Sequence, residues 1–233
     1  MLSTLQGYLK DFSHLVFPHH CEGCGTDVLL DDDLLCAKCL HQLPETGFFH
    51  AANNPVEKIF YGRVNIQMAA AAYYFTKDSL LQHLLIQLKY RNNKNAGFFL
   101  GKQTGIQLLN AERFTNIDAL IPLPLNPKKE QQRGYNQAAV ICEGIADIIK
   151  KPILQNAVHR IQFTETQTKQ DRIHRWQNME NVFSVKNEAD LVGKHILLVD
   201  DVVTTGATLE ACAAAILTIP DITISIATVA YTV

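Results

Sequence analysis

The stretch that most constrains this 233-residue chain spans residues 195–217. It opens with HILLV, an uninterrupted apolar run of strand length, as expected of a central parallel strand covered on both faces. Asp200 and Asp201 follow, then Thr204, Thr205, Gly206 and Thr208, and an Ala-rich helical pattern over 207–217. A buried strand that turns directly into a helix is a unit of an open α/β sheet, and such sheets bind ligands at the carboxyl ends of their strands.

The turn has its own chemistry. The first N–H groups of a helix lack intrahelical acceptors and carry partial positive charge, so they can hold a phosphate without a lysine. Gly206 permits a tight turn and close backbone approach. Asp200 and Asp201 would repel a phosphate, but they suit sugar hydroxyls, or a Mg²⁺ ion shared with a pyrophosphate. Carboxylates beside a phosphate cradle describe a sugar phosphate. The alternative is a plain helix cap with solvated aspartates, since helix N-termini favour Thr and Asp anyway.

The remaining chain alternates strand and helix from about residue 65. Residues 67–75 read as a strand, 77–90 and 95–109 as helices, 119–125 as a short buried strand, 136–150 as a helix and 222–229 as a closing strand. The polar, basic stretch 159–181 reads as a loop or long hairpin. A mainly parallel sheet flanked by helices is therefore expected over 65–233. Residues 50–62, rich in Asn, Pro and Gly, read as a linker to a small module over 1–50.

That module holds Cys21-x2-Cys24 and Cys36-x2-Cys39, two thiolate pairs with the spacing of a closed tetrahedral Zn²⁺ site. No coordination position stays open, so the ion would be structural; a segment of about 50 residues has too little core to fold easily alone. Cys142 and Cys212 sit singly in apolar helical patterns and read as core residues. The N-terminus is amphipathic but lacks the regions of a signal peptide, and no apolar run reaches membrane-spanning length, so a cytoplasmic protein without membrane insertion is expected. With 21 basic and 23 acidic residues, the net charge of −2 argues against a strong general grip on nucleic acid.

LLVDDVVTTGAT resembles the signature of the type I phosphoribosyltransferases. The resemblance implies that Asp200 and Asp201 hold ribose hydroxyls and that the segment through Val202, Val203, Thr204, Thr205, Gly206, Ala207 and Thr208 binds the 5-phosphate of phosphoribosyl pyrophosphate. Three further segments resemble the ComF branch of these proteins, also typified by GntX-like members. The first is IPLPL followed by RGYNQ, which places Arg133 at the family's pyrophosphate loop. The second is the run from Arg160 through Thr164, Gln167, Arg175 and Asn178 to Phe183. The third is LKYRNN at 88–93. By resemblance the 159–181 stretch is a closing hairpin whose Arg172 and Arg175 neutralise the leaving pyrophosphate. An exposed basic hairpin and a solvated, capped loop are the alternatives for the lid and the pyrophosphate loop. ComF-type proteins also carry an N-terminal four-cysteine module.

Two functions follow as expectations. The first is Mg²⁺-dependent transfer of a phosphoribosyl group to a nitrogen acceptor, in DNA uptake and competence or in nucleotide metabolism. The second is a non-catalytic sugar-phosphate module acting with a helicase or single-stranded DNA in transformation. Ser3 and the lack of any cysteine before Cys21 argue against a glutamine amidotransferase.

Overall fold

The computed structural model describes residues 20–27, 29, 34–161 and 182–232. The chain divides into two compact units, Met1–Leu43 and Pro44–Val233. The first holds helix α1 (Ala37–His41), which Cys36 starts in extended conformation. Among the described residues no helix is long and apolar enough to cross a membrane.

The second unit is built on a four-stranded, wholly parallel sheet. Its strands are β1 (Met68–Phe75), β2 (Ala119–Pro122), β5 (His195–Val203) and β6 (Thr223–Thr232), in the order β1-β6-β5-β2. β5 and β6 lie in the middle, and their apolar runs are buried as expected for central strands: Ile196, Leu197, Leu198 and Val199 are fully covered. A separate antiparallel pair, β3 (Val158–Arg160) and β4 (Phe183–Val185), flanks the stretch read as a loop or hairpin.

Among the described residues six α-helices complete this unit: α2 (Pro55–Phe60), α3 (Leu80–Tyr90), α4 (Lys94–Leu109), α5 (Pro127–Arg133) and α6 (Gln137–Ile149) precede β3, and α7 (Ala207–Ile216) joins β5 to β6. α6 packs on β2 and β5, and α4 packs on β1, β6 and, most closely, on α6. The reason is a stripe at four-residue spacing, Gly97, Gly101 and Gly105, facing Gly144. A Cβ on Gly101 would lie 2.2 Å from the carbonyl oxygen of Ile141, and one on Gly144 would lie 2.1 Å from that of Phe98. The two helices meet backbone to backbone, and only glycine leaves that room. The stripe is visible in the sequence, but its partner at Gly144 is not.

The linker expected at 50–62 is part of the second unit instead. Asn54 caps α2 through Oδ1, which accepts from the N–H of Val56 and Glu57, and its Nδ2 donates to the carbonyl of Ala69 in β1 at 2.8 Å. Val56 and Phe60 are fully buried, and Glu57 pairs with Arg113 at 2.6 Å. Asn, Pro and Gly mark this stretch because it begins and ends a short helix: Pro55 stands at its first turn and Gly62 turns out of it at φ 70°.

Candidate functional site

β5 outruns its neighbour. β2 pairs with it only as far as Val199, while pairing with β6 continues through Asp200, Val202 and Val203. Among the described residues no strand pairs with the β2 side of β5 beyond Val199, and there the two aspartates stand, half-buried, at the carboxyl end of a central strand. The Asp201 N–H donates to Asp200 Oδ1 at 2.8 Å. Burial pushes the Asp200 carboxyl up to about 8, and the neighbouring Asp201 charge pushes the same way, against the pull of the Asp201 N–H, Lys89 and Arg133. Val202 and Val203 belong to the strand, and Val203 is buried in the core.

The turn after β5 leaves Thr204, Thr205, Ala207 and Thr208 exposed. Gly206 starts α7 at φ 71° and, as glycine, brings no side-chain cap to the helix's first N–H groups. Gly206 itself is buried: a Cβ there would come within 2.6 Å of Ile59 and 2.9 Å of Phe60. The turn is seated on α2. Arg63, just beyond α2, fastens it further by donating to the carbonyls of Ile59 at 3.0 Å and Thr205 at 2.9 Å and pairing with Glu210 of α7. Arg63 was not singled out in the sequence, because nothing local ties it to a turn 142 residues away.

The RGYNQ segment is a compact device. Gly134 ends α5 in the left-handed region at φ 79°. The Tyr135 hydroxyl donates to the Leu88 carbonyl near the end of α3. Asn136 caps α6 with Oδ1 and ties back to the Leu123 carbonyl after β2 at 3.0 Å. Buried Gln137 accepts from Arg133 at 2.6 Å, and the guanidinium lies over the Tyr90 ring, 5.5 Å from its centroid. Of the motif's residues Gln137 holds Arg133 directly, while Gly134, Tyr135 and Asn136 fix the backbone that follows it.

These elements surround one cavity of about 210 Å³, bordered by Asp200, Asp201, Thr208, Arg133, Lys129 and Lys89. Arg160, at the end of β3, also borders it and lies over the Phe183 ring at 5.5 Å. Lys89, in the LKYRNN segment, pairs with Asp201 at 2.8 Å. Arg172 and Arg175, with Thr164, Gln167 and Asn178, lie outside the described residues. The arrangement offers, around one cavity, carboxylate acceptors for hydroxyls, Thr208 in the first turn of a helix, and basic side chains for an anion.

In the first unit, the Sγ atoms of Cys21, Cys24, Cys36 and Cys39 all lie within 4.8 Å of one another. Cys24 and Cys36 sulfurs are 3.7 Å apart, close to the ~3.8 Å that tetrahedral Zn–S bonds of about 2.3 Å impose. The N–H groups of Cys36 and Gly23 point at Cys21 Sγ, at 3.2 and 3.4 Å. Burial pushes the Cys21 thiol up, but the N–H groups of Cys36, Cys24 and Gly23 outweigh it and bring it down to about 6. Four sulfurs with N–H support form a set that could hold a zinc ion. Cys142 and Cys212 are fully buried in α6 and α7.

A parallel sheet whose central strand ends in paired aspartates and a glycine turn defines a phosphoribosyltransferase-type domain, and residues 138–232 match the phosphoribosyl transferase domain family. Competence protein F of Haemophilus influenzae is 33% identical over 200 residues, 83% of this chain and 76% of that protein. The DNA utilization protein YhgH of Escherichia coli O157:H7 is 28% identical over 191 residues, 81% of this chain and 73% of its own. Competence protein ComFC of Bacillus subtilis is 35% identical over 98 residues, 42% of this chain and 38% of that one. The chain belongs to the ComF-type competence protein family.

Proposed function

We propose that the second unit binds phosphoribosyl pyrophosphate. Asp200 and Asp201 accept from the ribose hydroxyls, residues 204–208 hold the 5-phosphate at the start of α7, and Arg133, Lys129 and Arg160 face the pyrophosphate, which brings Mg²⁺ with it. The observation that carries this reading is the convergence of the acidic pair, Thr208 and the basic side chains on one cavity, from segments far apart in sequence. The names of the relatives, a competence protein and a DNA utilization protein, extend the reading to a role in competence and the use of DNA. Transfer to a nitrogen acceptor is the reaction this site suits, through positioning and charge stabilisation.

Calorimetry with phosphoribosyl pyrophosphate and Mg²⁺ tests the binding; no heat at millimolar ligand would overturn it. Pyrophosphate release across a panel of bases and amines then separates the two roles. Turnover with any acceptor identifies a transferase. Tight binding without turnover, together with retention of a helicase or single-stranded DNA, identifies an accessory module.

For the first unit, the reading is one structural zinc held by Cys21, Cys24, Cys36 and Cys39. Elemental analysis of freshly purified, reduced protein is expected to give one zinc per chain. Chelation should unfold this unit, because structural zinc supplies roughly 10–16 kcal/mol of apparent binding energy to small domains. Metal-free protein with an unchanged first unit would remove zinc from the account.

A further inference from the structure

Lys89 stands on the wall between two cavities. On one side is the cavity of the acidic pair, where its ammonium lies 2.8 Å from Asp201 Oδ2. On the other is a cavity of about 440 Å³ lined by Lys89, Tyr90, Asn92, Lys129, Gln132 and Arg133. That second lining contains three cationic side chains and no carboxylate, so it suits an anion. Lys89, Lys129 and Arg133 border both spaces.

The backbone that carries Lys89 is held firmly. Leu88 is fully buried, and its carbonyl takes the Tyr135 hydroxyl, which locks the last turn of α3 to the RGYNQ segment. The Lys89 side chain is not so confined: it is 23% exposed and its paired carboxylate 13%. A flexible four-carbon stem on a fixed anchor can change partner without any movement of the fold. The ammonium also occupies part of the acceptor capacity of Asp201 at Oδ2, whereas a ligand carrying several negative charges offers that ammonium a better partner.

We propose that Lys89 exchanges partners on ligand binding. In the free protein it neutralises the acidic pair through Asp201. When phosphoribosyl pyrophosphate enters, its ammonium turns to the pyrophosphate, seated toward the second cavity beside Lys129 and Arg133, and Asp201 is released to the ribose. This rests on the phosphoribosyl reading of the site. It makes Lys89 a residue that distinguishes ligands with a pyrophosphate from those without one.

The test is calorimetry of the full chain and of Lys89→Met with three probes in the presence of Mg²⁺: phosphoribosyl pyrophosphate, inorganic pyrophosphate and ribose 5-phosphate. Loss of a charge-assisted contact should weaken the two pyrophosphate ligands about tenfold or more. Ribose 5-phosphate should bind as well as before, or more tightly, because its diol no longer competes with an ammonium. Lys89→Arg should keep most of the pyrophosphate affinity, and Lys89→Gln serves if the methionine variant does not fold. Equal weakening of all three ligands would reduce Lys89 to a support for the acidic pair and overturn the exchange. Unchanged affinities would overturn it too. Wild-type protein that binds none of the probes would instead remove the phosphoribosyl reading itself, and the exchange with it.

Discussion

Replacing Asp200 and Asp201 together by asparagine is expected to abolish measurable binding of phosphoribosyl pyrophosphate while leaving the fold intact. At about pH 9, where both carboxyls are ionised, each offers charge-assisted acceptor sites that an amide does not match, at roughly 1.5–3 kcal/mol per bond to a charged group, so the pair should cost at least a hundredfold in affinity. Unchanged affinity in calorimetry would sink the assignment. The single variant Asp200→Asn carries a second, opposite signature. Burial pushes the Asp200 carboxyl up to about 8, far above the ordinary value of an unfolded aspartate. Between about pH 4 and pH 8 the folded chain therefore retains a proton that the unfolded chain has lost, and this contribution to stability falls as pH rises through that window. Asparagine removes the titration. Asp200→Asn should melt above wild type at pH 8, by several degrees, with the gap shrinking toward pH 5. A pH-independent gap would mean that Asp200 is an ordinary ionised carboxylate. A site that destabilises its own fold is what ligand binding asks of a buried acidic pair.

Gly206→Val should disable both the turn and the packing beneath it. Its φ of 71° costs a side chain roughly 1–2 kcal/mol, more for a β-branched one. Its Cβ would also press to 2.6 Å from Ile59 Cγ2 and 2.9 Å from the Phe60 ring, and overpacking of this kind typically costs about 1–3 kcal/mol. The melting temperature should fall by about 5–15 °C, given roughly 2–4 °C per kcal/mol for a domain of this size. Gly206→Ala should lie between wild type and the valine variant. Ribose 5-phosphate affinity should fall with both, because the N–H groups that would face the phosphate follow directly on Gly206. Alanine protein with wild-type melting and wild-type affinity would show that the turn does not depend on its seat on α2. Thr204 and Thr205, which are exposed, should by contrast tolerate alanine with little change in melting.

The residues of the 195–217 segment were enough to announce a buried parallel strand, a helix start and a pair of carboxylates between them, because each of those properties is local. Strand periodicity, a glycine at the turn and an unbroken apolar run depend on neighbours one to four positions away. The cysteine pairs were equally plain, since two close thiols reach one ion from a single knuckle. The same locality misread residues 50–62. Asn, Pro and Gly there are the punctuation of a short helix, and only the contacts of Asn54 with Ala69, and of Phe60 with the space above Gly206, distinguish it from a linker. Arg63, the partner of Lys89 and the backbone contact at Gly101 and Gly144 were hidden for one shared reason: each contact joins residues more than 40 positions apart, and a lone charge or a small residue carries no sign of which partner it will meet. Asp200 is the clearest case. Its place in the site could be read from DD at a strand end, and so could the adjacent Asp201 charge, but its raised pKa comes first from burial, which the strand alone does not have, while Lys89 and Arg133, brought up by the fold, pull the other way.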